Sequence, residues 1–214
     1  MTGIKIGNKH TYDDFGLRML SFHISHPEPY ITKIEIPGMD GVYDASESLS
    51  GEVHYKNRTL TAVFDMEEPD SDAFFSRYSE ILNAIHGLRK QIIPDTDKNF
   101  YYEGRVTVSY VQLNFLFYQI TITADMDPYK KKLEDTVVTA TVSGTKDVVC
   151  ENLRKSVLPV ITASAEMTLT LHGTSITVNT DEKQYAEIKF AAGSNTVTCE
   201  GTGTVTFTYR EASL

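Results

Sequence analysis

Arg58-Thr-Leu-Thr-Ala-Val-Phe-Asp-Met66 runs into Pro69-Asp-Ser71 and then into Phe74, Phe75, Tyr78, Ile81, Leu82 and Ile85, ahead of Gly87. The first run is β-branched and aromatic and reads as a strand. The second places apolar residues three and four apart, the spacing of one helix face. Pro69-Asp70-Ser71 supplies an N-terminal cap, Asp72 suits the first turn, and Gly87 is a natural stop. His86 and Arg89 stand where positive charge offsets the helix dipole. The spacing predicts a helix over 71–86, laid across a sheet to seal its core. If fully buried, Phe75→Ala and Ile81→Ala would each cost about 2–5 kcal/mol.

Strand-like segments surround this helix. Ile4-Lys-Ile6 precedes a turn at Gly7-Asn8-Lys9, and Leu17–Ser25 alternates with a change of phase at Leu20 that reads as a bulge. Tyr30–Ile36 alternates until Pro37-Gly38, and the glycine-, serine- and acid-rich stretch 37–50 reads as a long surface loop. Gly51–Tyr55 and Arg58–Met66 read as a hairpin across Lys56-Asn57. Gln91–Ile93, Phe100–Ser109 and Gln112–Ala124 complete a β-sandwich-like or split-barrel unit with one helix.

The character changes at Asp125-Met-Asp-Pro-Tyr-Lys-Lys-Lys132. Residues 1–128 carry a net charge of −8 and 9 threonines, whereas residues 129–214 carry −1 and 16 threonines. Pro128 forces extended geometry on Asp127, and three consecutive lysines resist burial, so a domain boundary is expected there. Beyond it, 137–142, 159–163, 167–171, 176–178, 186–190, 195–199 and 203–210 are short runs that mostly alternate apolar residues with Thr. Turns every 8–12 residues or so give the pattern of an all-β sandwich or jelly roll. The fold class is mainly β, with domains at 1–128 and 129–214.

Composition narrows the function. At 214 residues, 41% hydrophobic and 23% charged, the chain is neither disordered nor fibrous. Its net charge of −9 disfavours wrapping nucleic acid. No apolar run is long enough for a membrane-spanning helix, and no signal peptide is expected at the N-terminus. Cys150 and Cys199 are too few for a disulfide framework or a structural zinc site. They read as reduced core residues, with a single bridge as the alternative.

No side-chain constellation specifies catalysis. His23 and His26 lie on opposite sides of a strand and lack a third ligand. Asp13-Asp14 and Asp95/Asp97 sit in turn contexts and read as turn-formers. Gly201-Thr-Gly203 lacks the following helix of a phosphate loop, and Asn57-Arg-Thr59 reads as a hairpin turn rather than a glycosylation site. No catalytic, cofactor-binding or metal-binding residue is assigned, and an enzyme is not expected. The enzymatic alternative requires Asp95 and Glu103 to converge in a cleft.

Several motifs together resemble the distal tail proteins of long-tailed siphophages. They are Ile34-Glu-Ile-Pro-Gly-Met-Asp-Gly-Val-Tyr-Asp-Ala-Ser46, Leu60-Thr-Ala-Val-Phe-Asp65 and Leu82-Asn-Ala-Ile-His-Gly-Leu-Arg-Lys-Gln-Ile-Ile-Pro-Asp95. Phe100-Tyr-Tyr-Glu-Gly-Arg-Val106, the Asp-Pro-Tyr129 junction and the tail Thr206–Leu214 continue the resemblance along nearly the whole chain. It implies a baseplate hub in which six N-terminal domains form a ring around the tail channel and the C-terminal domain is a galectin-like sandwich outside it. The implied partners are further copies of the chain, the tail tube protein, a tail-tip protein such as a tail-associated lysin, and in some phages receptor-binding proteins. The implied location is the virion tail tip, after assembly in the host cytoplasm. DNA would pass through the channel without being bound, and no membrane insertion is implied.

On the residues themselves, strands 4–6, 30–36 and 58–66 are expected to offer edges to a neighbouring copy. The loop 37–50, the hairpin 53–65 and the strand end 100–105 are expected contact faces. Six N-terminal domains would give the ring strong negative potential, and facing the channel it would repel DNA phosphates. The competing reading is a free carbohydrate-binding β-sandwich module. The chain has no Trp, so Tyr185, Phe190, Phe207 and Tyr209 would have to stack sugar, although alternation assigns Phe190 and Phe207 to the core.

Overall fold

A computed structural model describes residues 2–48, 50–114 and 117–214. Leu49 of the 37–50 loop, and Phe115 and Leu116 of the expected strand 112–124, lie outside the described residues. The fold is mainly β and antiparallel, with one helix among the described residues. It divides into two compact units, Met1–Pro128 and Tyr129–Leu214.

The first unit contains β1 (Ile4–Ile6), β2 (Lys9–His10), β3 (Arg18–Ile24), β4 (Lys33–Ile34), β5 (Tyr43–Asp44) and β6 (Arg58–Glu67). Helix α1 (Ser71–Ile85), β7 (Arg89–Pro94), β8 (Phe100–Gln112) and β9 (Phe117–Met126) follow. Seven of these strands form one sheet in the order β2-β1-β7-β8-β9-β6-β3. Period-two alternation sorts its faces: Leu60, Ala62, Phe64, Ile120, Ile122 and Val106 are buried, while Thr59, Thr61, Thr107, Thr121 and Thr123 point the other way. Each large apolar side chain so buried contributes roughly 1.5–3 kcal/mol. The sheet curls into a half-barrel, bringing Met19 and Phe22 of β3 to a shared groove with Gly3 and Pro94 near its other end. The phase change at Leu20 is a bulge, with the β3–β6 register shifting between Met19 and Ser21.

Helix α1 seals the inner face. Asp70 caps it, its carboxylate accepting the Ala73 N–H at 2.8 Å. Phe74, Ile81 and Ile85 are buried. Phe75 is 48% exposed, contrary to the expected stripe. Phe74, Tyr78, Ile81 and Ile85 already occupy the sheet-facing line, and Phe75 stands about 100° around the helix from Phe74. It meets Tyr110 edge-on instead, at 6.0 Å between ring centres. The helix C-terminus also differs from expectation. His86 Nδ1 accepts the Val108 N–H and Arg89 binds Asp127, while Arg105 donates to the Gly87 carbonyl at 2.6 Å.

Three strand assignments in this unit are corrected. Gly51–Tyr55 is not a strand: Tyr55 makes one isolated bridge to Pro29, and β6 pairs with β3 and β9 instead. The short gap at Lys56-Asn57 suggested a hairpin, but burying β6 on the core face selects sequence-distant partners. Within 30–36 only Lys33–Ile34 is strand, paired with Tyr43–Asp44 inside the expected loop. The run 112–124 contains a chain reversal, where Asn114 Oδ1 accepts the Phe117 N–H at 3.2 Å and the Leu113 N–H donates to the Phe117 carbonyl.

The second unit contains β10 (Lys130–Lys132), β11 (Thr136–Asn152), β12 (Val160–Ala163), β13 (Met167–Leu171), β14 (Thr174–Val178), β15 (Lys183–Gln184), β16 (Gly193–Tyr209) and β17 (Ala212–Ser213). β11 and β16 pair along all seventeen residues, replacing the shorter strands expected at 137–142, 195–199 and 203–210. The other edge of β16 carries β13 near Thr198–Gly201 and β12 near Thr204–Thr208, and these pair in turn with β14 and β15. Between the two stretches Gly201 and Gly203 adopt φ of +144° and +151°. A Cβ on Gly203 would stand 2.6 Å from Ser164 Oγ and 2.7 Å from Met167 Cε. The glycines turn one continuous strand through a corner, so both halves enclose a single core that includes Phe190, Val197, Cys199 and Phe207. Residues 186–190 are not a strand; Ile188 and Phe190 are buried from a turn, with Phe190 bridging Val157.

Candidate functional site

The residues weighed for chemistry are engaged structurally. Asp14 accepts the His10 backbone N–H at 2.7 Å and pairs with Lys9, and these contacts hold its carboxyl below the usual range. Asp95 accepts the Gly3 N–H at 2.7 Å and faces His10 Nε2 at 3.3 Å, tying the turn after β7 to the chain around β1 and β2. Glu103 lies opposite Gln91 on β7, about 13 Å of strand away from Asp95. That exceeds the ~5–10 Å over which two carboxylates cooperate in glycoside hydrolysis, so the pair does not converge. His23 is exposed on β3 and His26 lies beyond that strand's end. Among the described residues no group of three or more His, Cys, Asp or Glu side chains could hold a metal, and no helix is long and apolar enough to cross a membrane.

The second unit presents no aromatic platform from the four expected positions. Phe190, Phe207 and Tyr209 are buried, and Tyr209 donates its hydroxyl to the Glu151 carbonyl at 2.5 Å. Tyr185 is half-buried against the same core. Cys150 and Cys199 are free and buried, and burial raises their thiols to about 12 and about 11. Cys150 faces Asn195 in the β11–β16 register, four residues from Cys199. Roughly 13 Å of strand separates them, beyond the ~7 Å limit for bridging, which removes the disulfide alternative.

Exposed apolar surface is instead concentrated in the first unit. Between β3 and β6 the chain leaves the sheet as an arm. It is held by backbone bonds from Tyr30 N–H to His54 O and Lys56 N–H to Glu28 O, and by the β4–β5 pair. Asp44 fastens it further: its carboxylate accepts the Ser46 hydroxyl and N–H, which holds it below the ordinary carboxylate value, and Ser46 Oγ accepts the Thr32 N–H at 2.9 Å. Yet every residue from Pro29 to Asp44 is exposed. Ile31 (60%), Tyr30, Ile34, Ile36, Met39, Val42 and Tyr43 present large apolar side chains to solvent. A two-stranded hairpin without a core is marginal in water, and an exposed patch of this extent marks a contact surface. The loop 37–50 was expected as a contact face, but its apolar character was concealed, because Met39, Val42 and Tyr43 sit among acidic and glycine residues.

The sheet margins also differ from expectation. β1 lies between β2 and β7, and β6 lies between β3 and β9, so 4–6 and 58–66 are not free edges. The expected strand end 100–105 is the paired start of β8, with Tyr101 and Tyr102 buried. The long open margin is that of β3. A groove of about 390 Å³ runs beside it, lined by Thr2, Arg18, Met19, Leu20, Ser21 and Phe22. Leu20 at the bulge is 52% exposed. A pattern change at one residue was legible, but that its strand ends the sheet was not.

No protein-family model and no curated protein matches the chain. Among solved structures it is similar to the crystal structure of the SPP1 Dit (gp 19.1) protein, described as a paradigm of the hub adsorption apparatus in phages infecting Gram-positive bacteria. The two share 16% identity at a TM-score of 0.68, over 98% of this chain and 99% of that one. Over nearly its whole length the chain therefore has the fold of a phage distal tail protein.

Proposed function

We propose that this chain is a structural subunit of a phage tail tip, six copies of which close into a ring hub. The ring joins the tail tube protein to the tip proteins, a tail-associated lysin among them, and supports host attachment without covalent chemistry. Receptor-binding proteins are candidate ligands of the second unit, and DNA crosses the ring without being held. The subunit is assembled in the host cytoplasm and resides in the virion. The observation that carries this reading is the near-complete coverage of both chains in the likeness to SPP1 Dit. A large exposed apolar surface on an otherwise well-packed unit supports a role in contact.

Electron microscopy of the purified protein, with light scattering, tests the reading. Six-membered rings and a mass near six times 24.0 kDa are expected. A monomer at all accessible concentrations that binds glycans would instead favour the carbohydrate module.

A further inference from the structure

The arm and the β3 groove are two surfaces of the first unit that lack an internal explanation. We propose that they are partners: the arm of one copy, through Tyr30–Tyr43, lies against the open margin of β3 in the next copy. This rests on the ring reading above and names the contact that closes it.

Three observations converge on a second copy as the occupant. The first is chemical match. The arm presents isoleucines, Met39 and tyrosines, and the groove offers Met19, Leu20, Phe22 and Pro94 beside an edge that ends the sheet. An extended segment there can add main-chain hydrogen bonds while its side chains fill the groove. The second is charge. Residues 26–57 carry six carboxylates against two lysines. The charged side chain lining the groove is basic, Arg18. Asp65 of the adjacent β6 stands opposite Arg18 in the β3–β6 register. Complementarity of this kind fixes register more than it adds affinity. The third is geometry. Donor and acceptor surfaces are different patches of the same chain, so the contact is head-to-tail, the class whose rotation closes a ring. The arm, leaving the sheet after β3, spans up to about 40 Å before it turns at Pro37-Gly38, enough to reach a neighbour.

Cross-linking and assembly test the proposal together. Ile34→Cys and Leu20→Cys are made in separate full-length chains; both positions are exposed, and the native Cys150 and Cys199 are buried. Oxidising the mixture is expected to give a covalent dimer containing one chain of each kind, with at least tenfold less from either variant alone. The companion variants I31D/I34D and L20D should melt as the wild type does. They should need at least tenfold higher concentration to form rings. Wild-type rings that neither variant weakens, with no mixed dimer, would overturn the arm contact, leave the ring reading intact and assign the arm to a different protein. A cross-link within one chain carrying both cysteines, in place of the mixed dimer, would overturn it as self-docking. Failure of the wild type to form rings or mixed dimers at any concentration would instead remove the ring reading itself.

Discussion

The arm and the half-barrel from which it springs are ordered in opposite ways. In the sheet, side chains are fixed by burial: Phe64, Ile120 and Phe74 have no exposure, and hydrogen bonds follow from the packing. In the arm, hydrogen bonds and turns fix the chain while its apolar side chains remain in solvent. Burial is therefore the source of the first unit's stability, whereas shape without burial equips the arm for a contact.

Mutations should separate the two regimes. Phe74→Ala is expected to cost about 3–5 kcal/mol and Ile81→Ala about 2–5 kcal/mol in chemical denaturation, because both leave cavities beneath the sheet. Phe75→Ala, one position away and half exposed, should cost less than about 1 kcal/mol; a loss as large as that of Phe74→Ala would show that the rim of the helix also bears the core. In the second unit, Gly203→Ala should cost about 1–3 kcal/mol. It overpacks the corner against Ser164 and Met167 and imposes an unfavourable φ, so the loss should appear in the melting of that unit. Asp70→Ala removes the helix cap and should lower stability by about 1 kcal/mol.

The smallest effects belong to the arm. Ile31→Ser should change unfolding free energy by no more than about 0.5 kcal/mol, since the side chain is already in water. Acid should loosen the arm locally. The Asp44 carboxyl is held below its ordinary value of 3.8 by Ser46, so its contribution is present above that value and is lost as pH falls through the lowered one. Amide exchange at Thr32 and Ser46, whose N–H groups depend on this cluster, is expected to rise relative to β6 as acid is added.

What could be read from the sequence follows the same division. The helix, a cap within Pro69-Asp70-Ser71 and the bulge at Leu20 are set by local spacing and were legible, although which residue caps was not. Strand partnership is not local: nothing between Tyr55 and Arg58 reveals that β6 takes β3 and β9 as neighbours. Glycine misled in the second unit, because Gly201 and Gly203 read as the end of one strand and the start of another, although the ladder to β11 continues across them. The candidate interface was only partly visible. Alternation at Tyr30–Ile36 marked the segment as a strand with an edge to offer, but its full exposure and the open margin of β3 were not legible.

The seventeen-residue ladder in the second unit also constrains how the chain is made. Its partners stand between 41 and 73 positions apart along the polypeptide. No rung can form before residues beyond 192 have emerged from the ribosome, and the last waits for Tyr209 itself. Assembly of this half is therefore late and slow for its size, since distant pairings carry their loop entropy first. A nonsense codon at Thr202 would remove the stretch of β16 that pairs with β12 and leave β12 with β15 alone.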